Sequence, residues 1–175
     1  MANWRIKLNP QPIDVKSAIE EVIDTIAPLA QAKNLQLQVN CDRAPKEVLT
    51  DPFRLQQILT NLLSNAVRYT DEGYLRVECV VQANEKWSFS VTDTGIGIDR
   101  EDLERIFEPY AQAYGLDRRR DKESTGLGLA IVSRMVKLLQ GEIKVFSQKA
   151  VGSTFTVTFP LKVKVEGTSV RSTPS

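Results

Sequence analysis

Helical and strand periodicities follow one another along this chain in an order that a parallel, doubly wound sheet cannot use. From Asp14, a good helix N-cap, Val15, Ala18, Ile19, Val22, Ile23 and Ile26 recur at helical spacing. That pattern predicts a helix to about Lys33, with Pro28 kinking it or disturbing its last turns. Leu35, Leu37 and Val39 alternate with Gln36, Gln38 and Asn40, the period of a half-buried strand, and residues 47–50 suggest a second, short one. Asp51-Pro52 is a strong helix start, a capping side chain followed by proline at the first helical position. Leu55, Ile58, Leu59, Leu62, Leu63 and Ala66 then form one apolar face. Strand-like runs at 74–82 and 87–92 predict a hairpin turning at Asn84-Glu85. A short helix is expected over 99–111, an amphipathic helix over 127–139 with Gly141 as C-cap, and a closing hairpin over 142–147 and 153–161 around Gly152. Strands and helices that cluster in this way point to an α+β fold. Its sheet is mixed and mostly antiparallel, covered on one face by helices.

Against that frame three short segments stand out for their chemistry. In Asn61-Leu-Leu-Ser-Asn65-Ala-Val-Arg68-Tyr69, the two asparagines and the arginine share a stripe at the rim of the apolar face. Carboxamide oxygens are hard neutral ligands, suited to a magnesium ion that already carries phosphate oxygens and water. Taken alone, the same stripe reads as a solvated helix face. Asp93-Thr94-Gly95-Ile96-Gly97 follows an apolar strand, so a carboxylate there can accept from an exocyclic amine, while glycines let backbone come close to a ligand. Taken alone, it reads as turn chemistry. Thr125-Gly126-Leu127-Gly128-Leu129 opens a helix, where exposed N–H groups and the helix dipole favour an anion such as phosphate. A helix start after a loop needs no ligand, and only the three segments in order overturn these plainer readings.

In that order, with Phe107-Glu108-Pro109-Tyr110 between the last two, they resemble the ATP-binding catalytic domain of sensor histidine kinases. The resemblance spans about Asp14 to Leu161. It implies the Bergerat-type two-layer α/β sandwich shared with gyrase, MutL and the heat-shock chaperone ATPases. By that resemblance Asn65 holds magnesium, Arg68 faces phosphate, Tyr69 lies beside the nucleotide and Asp93 takes the adenine amino group. Guanine would present a carbonyl to Asp93 and be repelled. Gly95 and Gly97 border base and sugar, and Thr125, Gly126, Leu127 and Gly128 meet the phosphates. Asn61 stands where the related ATPases place a glutamate that activates water. An amide cannot act as a base there, which favours phosphoryl transfer over rapid hydrolysis. The expected lid runs over 112–125, with one or two of Arg118, Arg119, Arg120 and Lys122 at the terminal phosphate. Two departures are noted: Ser124 stands where the family often has a further glycine, and Ala111-Gln112 stand where many members carry an arginine. Phe107 is expected to pack the lid base.

The chain contains no histidine. The resemblance therefore implies that a histidine on a separate dimerisation domain of the same parent protein receives the phosphate, with a response regulator downstream. On this reading residues 1–12 are a linker from that upstream domain or an edge strand, 13–163 the ATP-binding domain and 164–175 a disordered Ser/Thr/Pro-rich tail. A serine protein kinase of the anti-sigma type, or a nucleotide-sensing docking module of the same fold, are the alternatives; the intact Asn65, Asp93 and glycine pairs count against the module. A net charge of +1 argues against a general nucleic-acid binder. No run approaches the length of a membrane span. Cys41 and Cys79 lack metal-ligand spacing and are expected to be packed thiols of a reducing, cytoplasmic compartment.

Overall fold

The computed structural model describes residues 7–108 and 128–165. Its elements in chain order are β1 (Gln11–Ile13), α1 (Val15–Ala32), β2 (Gln36–Arg43), β3 (Val48–Thr50), α2 (Pro52–Arg68) and β4 (Tyr74–Gln82). They continue as β5 (Lys86–Asp93), α3 (Arg100–Leu103), α4 (Gly128–Leu138), β6 (Glu142–Gln148) and β7 (Gly152–Pro160). Five strands form one sheet in the order β2-β4-β5-β7-β6, and β1 pairs with β3 in a small second sheet. Only β2 and β4 run parallel; the other pairs of both sheets are antiparallel. This is the mixed, mostly antiparallel sheet that the broken alternation of periods predicts. Residues 11 and 12, the end of the segment expected to be a linker or an edge strand, form β1 together with Ile13.

The helices cover one face of the large sheet. Leu75, Val77 and Cys79 of β4, Trp87, Phe89 and Val91 of β5, and Val157 and Phe159 of β7 point into the core beneath Ile19, Val22 and Ile26 of α1 and Leu55, Ile58 and Leu59 of α2. Trp87 and Phe159 meet with ring centroids 5.2 Å apart. The opposite face is polar, and hydroxyls pair across strands there: Ser90 with Thr156 and Thr92 with Thr154, both at 3.0 Å. Alternation along each strand thus sets one side against the helices and the other toward water. Among the described residues, no helix is long and apolar enough to cross a membrane.

Local signals explain most boundaries. Asp14 accepts from the Ser17 N–H at 2.9 Å, and Asp51 accepts from the N–H groups of Phe53 and Arg54 at 3.1 and 3.2 Å. Asp51 also takes the Asn9 N–H at 3.0 Å, tying the incoming chain to the start of α2. Asn84 and Glu85, at φ of 63° and 56°, make the left-handed turn between β4 and β5.

Three helix ends carry detail beyond the prediction. First, α1 ends at Ala32, close to the expected Lys33, with Pro28 inside it. Second, the left-handed residue after α4 is Gln140 (φ 61°), not Gly141, whose N–H closes onto the Val136 carbonyl at 2.9 Å. Gly141 is small for another reason: a Cβ there would lie 2.6 Å from both the Phe159 ring and the Thr158 carbonyl. Third, the helix expected over 99–111 is regular only through Leu103. The Asp99 carboxylate pairs with Lys149 at 2.8 Å and makes no cap, while Ile106 is buried and Phe107 packs against the core. Residues 109–111 of that expectation, and the tail beyond 165, lie outside the described residues.

Candidate nucleotide site

The predicted stripe forms on α2. Asn61, Asn65, Arg68 and Tyr69 are all half-buried, flanked by the buried Leu62, Leu63, Ala66 and Val67. Arg68 Nη1 donates to Asn65 Oδ1 at 3.4 Å, a long bond that leaves this oxygen a second lone pair. Gly128, the first residue of α4, faces the two asparagines: a Cβ built on it would lie 3.8 Å from Asn65 Nδ2 and 4.0 Å from Asn61 Oδ1. The helix that carries the asparagines and the helix that opens with the glycine motif therefore meet at these residues.

Asp93 closes β5 and is buried among the residues around it. Its Oδ1 accepts the Gly95 N–H at 2.9 Å. Burial pushes its pKa above the ordinary carboxylate value, and backbone N–H bonds from Gly95 and Ser153 oppose that rise. One oxygen is thus committed to the turn, and the carboxylate keeps further acceptor capacity.

The Asp93–Gly97 loop is fixed by surroundings that lie far away in sequence. The Ile96 N–H donates to the Tyr69 carbonyl at 3.2 Å, and the Ile96 carbonyl takes the Ala150 N–H at 2.7 Å. A Cβ on Gly95 would sit 2.3 Å from the Tyr69 carbonyl oxygen. Gly97, at φ 67°, lies against the Gln148 carbonyl, where a Cβ would come within 2.1 Å. The Ile98 N–H reaches Ser147 Oγ at 2.8 Å, and Ser147 Oγ pairs with Ser153 Oγ at 2.7 Å. Gly152, at φ 142°, would drive a Cβ to 2.0 Å from the Asp93 carbonyl oxygen. The β6–β7 turn therefore clamps the loop from one side and the end of α2 from the other.

The structure brings together Asn61, Asn65, Arg68, Tyr69, Asp93, Gly95, Gly97 and Gly128. Lys122, Thr125, Gly126 and Leu127, with the rest of the expected lid, lie outside the described residues. Sequence reasoning missed the supports: Ser147, Gly152, Ser153, and Thr94, whose Oγ1 takes the Tyr74 N–H at 3.0 Å. The glycine at 152 was a legible turn signal, but nothing in the sequence showed that its turn packs on Asp93.

A nucleotide and magnesium suit what is present. Gly95 leaves a backbone surface free of side chain, and the Thr70 hydroxyl beside it is fully buried without a hydrogen-bond partner among the described residues. Asn65 offers a hard neutral oxygen.

Residues 50–163, more than half of the chain, match the family described as histidine kinase-, DNA gyrase B- and HSP90-like ATPase. The chain belongs to this family. The aerobic respiration control sensor protein ArcB of Escherichia coli (strain K12) is 36% identical over 159 residues, 90% of this chain and 20% of ArcB. The sensor histidine kinase RcsC of the same strain is 35% identical over 159 residues, 90% of this chain and 16% of RcsC. The crystal structure of full-length ShkA in complex with AMPPNP aligns with a TM-score of 0.78 at 31% identity, over 89% of this chain and 32% of ShkA. The chain thus spans a fifth or less of the two curated relatives. Its fold is that of the histidine kinase ATPase domains.

Proposed function

We propose that residues 13–163 bind magnesium–ATP and donate its terminal phosphate to a histidine on a separate dimerisation domain of the same parent protein, on the cytosolic side, for onward transfer to a response regulator. The observation that carries this reading is the buried Asp93 carboxylate, bonded by the Gly95 N–H in a glycine turn that abuts the Tyr69 carbonyl at the end of the helix bearing Asn61 and Asn65. A carboxylate at that depth accepts from an amino group and repels a carbonyl, so adenine is selected over guanine. The likeness to ShkA, crystallised with the ATP analogue AMPPNP, supports the same ligand.

Magnesium held at Asn65 would neutralise phosphate charge as the phosphoryl group leaves. Arg68, bonded to Asn65, is placed to share that work. The bond formed joins an imidazole nitrogen to the terminal phosphorus; the bond broken joins that phosphorus to its bridging oxygen, and ADP departs. Asn61 has no basic lone pair with which to deprotonate water, so hydrolysis to solvent is slow. That residue favours the kinase reading over a chaperone-type ATPase.

Calorimetric titration of ATP and GTP, with and without magnesium, tests the site. ATP is expected to bind, more tightly with magnesium, and GTP to bind far more weakly; equal binding of both would sink the adenine assignment. Asn65→Ala is expected to erase the gain from magnesium while leaving metal-free ATP binding close to the parent's. A magnesium gain undiminished in that variant would remove Asn65 as ligand. With a histidine-bearing dimerisation domain supplied in trans, transfer should yield an acid-labile phosphoryl linkage, as a nitrogen–phosphorus bond requires. An acid-stable product would point to a serine acceptor instead.

A further inference from the structure

We propose that Lys33, which lies on a different helix from every residue assigned above, is a positioning residue for the nucleotide site. This rests on the nucleotide reading of that site. Lys33 is the C-cap residue of α1, and its side chain reaches across to the C-terminus of α2. Its Nζ donates to the Val67 carbonyl at 2.7 Å and to the Arg68 carbonyl at 3.3 Å, and it lies 3.7 Å from Asp71 Oδ1.

The last carbonyls of a helix lack intrahelical partners and carry the negative end of its dipole. In α2 the Asn65 carbonyl is satisfied by the Tyr69 N–H at 3.0 Å, and the Val67 carbonyl receives only a long bond, 3.4 Å, from Thr70 N–H. One ammonium therefore serves the two carbonyls that the backbone serves poorly. It does so where two helix C-termini converge, so it offsets the partial negative charge of both.

The next peptide along is the one the site depends on. The Tyr69 carbonyl, adjacent to the anchored Arg68 carbonyl, accepts the Ile96 N–H and abuts Gly95, whose own N–H holds Asp93. The Arg68 side chain in turn bonds Asn65. Lys33 thus fixes the single segment that bears on both the asparagine stripe and the Asp93 turn, without touching either. Release of its grip lets the Arg68–Tyr69 peptides tilt, and the Gly95 turn moves with them.

The test compares Lys33→Met, which keeps the stem and removes the ammonium, with Lys33→Arg, which keeps a cation. At a temperature where each chain is fully folded by circular dichroism, Lys33→Met is expected to raise the ATP dissociation constant by roughly three- to tenfold. Lys33→Arg is expected to recover most of that loss. Global stability does not enter the affinity of a folded molecule, so a residue that serves the fold alone would leave the constant unchanged. In parallel, amide exchange of Ile96 should accelerate in Lys33→Met relative to the β4–β5 strand amides, with no nucleotide present. Parent-like ATP affinity in Lys33→Met, no recovery in Lys33→Arg, or a Lys33→Met chain that fails to fold would each overturn the proposal. If the parent itself does not bind ATP, the nucleotide reading fails, and the Ile96 exchange alone still decides whether Lys33 holds the turn.

Discussion

Asp93→Asn is expected to weaken ATP binding by roughly ten- to a hundredfold, the worth of a buried hydrogen bond to a charged acceptor. One carboxylate serves backbone and base donors at once on this reading. Its Oδ1 takes the Gly95 N–H at 2.9 Å, the Ser153 N–H bonds the carboxylate as well, and lone pairs remain that could accept from a base. A carboxamide has one oxygen and one NH2 group. If its oxygen serves Gly95, its NH2 meets the amino group of adenine, donor against donor. If it turns over, the NH2 meets the Gly95 N–H and the turn loses its anchor. The same variant separates two pH effects. Burial raises the pKa of Asp93 in the folded chain, so its ionised form is disfavoured there. From Asp93 alone, the stability contribution is fully present below the unfolded carboxylate value and is lost as pH rises through the raised folded one. Asp93→Asn removes that pH dependence, so the nucleotide-free variant's stability should fall less than the parent's as pH rises through this range. ATP binding runs the other way, since it needs the ionised acceptor and fails as pH falls through the raised value. Titration of the phosphates is common to both proteins, so the readout is the ratio of parent to variant affinity. That ratio should shrink as pH drops into the carboxylate range; a ratio that stays flat would show that Asp93 does not contact the base as an anion.

The elements that the sequence made legible are those governed by short-range rules. Asp51-Pro52 starts α2 because a cap and a fixed φ act within one turn, and residues 74–82 form β4 because period-two burial needs no knowledge of the partner strand. Asn61, Asn65 and Arg68 share a helix face by spacing alone. What stayed hidden depends on contacts across the fold. Gly141 looks like a helix cap from sequence, yet Gln140 takes the left-handed conformation and Gly141 yields to the Phe159 ring. The supports of the candidate site are of the same kind. Ser147, Gly152 and Ser153 sit on a hairpin whose role exists only because β7 is hydrogen-bonded beside β5, pairing Ser153 with Asp93. Lys33 is an ordinary surface-type lysine until α1 and α2 are laid side by side.

Gly95→Ala is expected to come close to abolishing ATP binding and to cost about 1–3 kcal/mol of stability, as forced overpacking does. The added Cβ would lie 2.3 Å from the Tyr69 carbonyl oxygen, 2.9 Å from its carbonyl carbon and 2.8 Å from Thr70 Oγ1. Two of the three obstacles are backbone, and the third belongs to a fully buried side chain, so none can swing away. Either the Tyr69 peptide retreats, breaking its bond to the Ile96 N–H, or the Asp93 turn lifts off and Gly95 leaves the carboxylate. Both outcomes dismantle the acceptor proposed to take the adenine amino group. Gly128→Ala makes the comparison informative. Its Cβ would meet Asn65 and Asn61 at 3.8 and 4.0 Å, ordinary contact distances, so it forces no backbone aside. Thermal unfolding should therefore separate the two, with Gly95→Ala melting lower than the parent and Gly128→Ala close to it. Calorimetry then asks whether the Gly95→Ala chain that remains folded still takes ATP. Parent-like affinity there would mean that the nucleotide does not lie against the Asp93 turn, and the site would have to be sought elsewhere along the asparagine stripe.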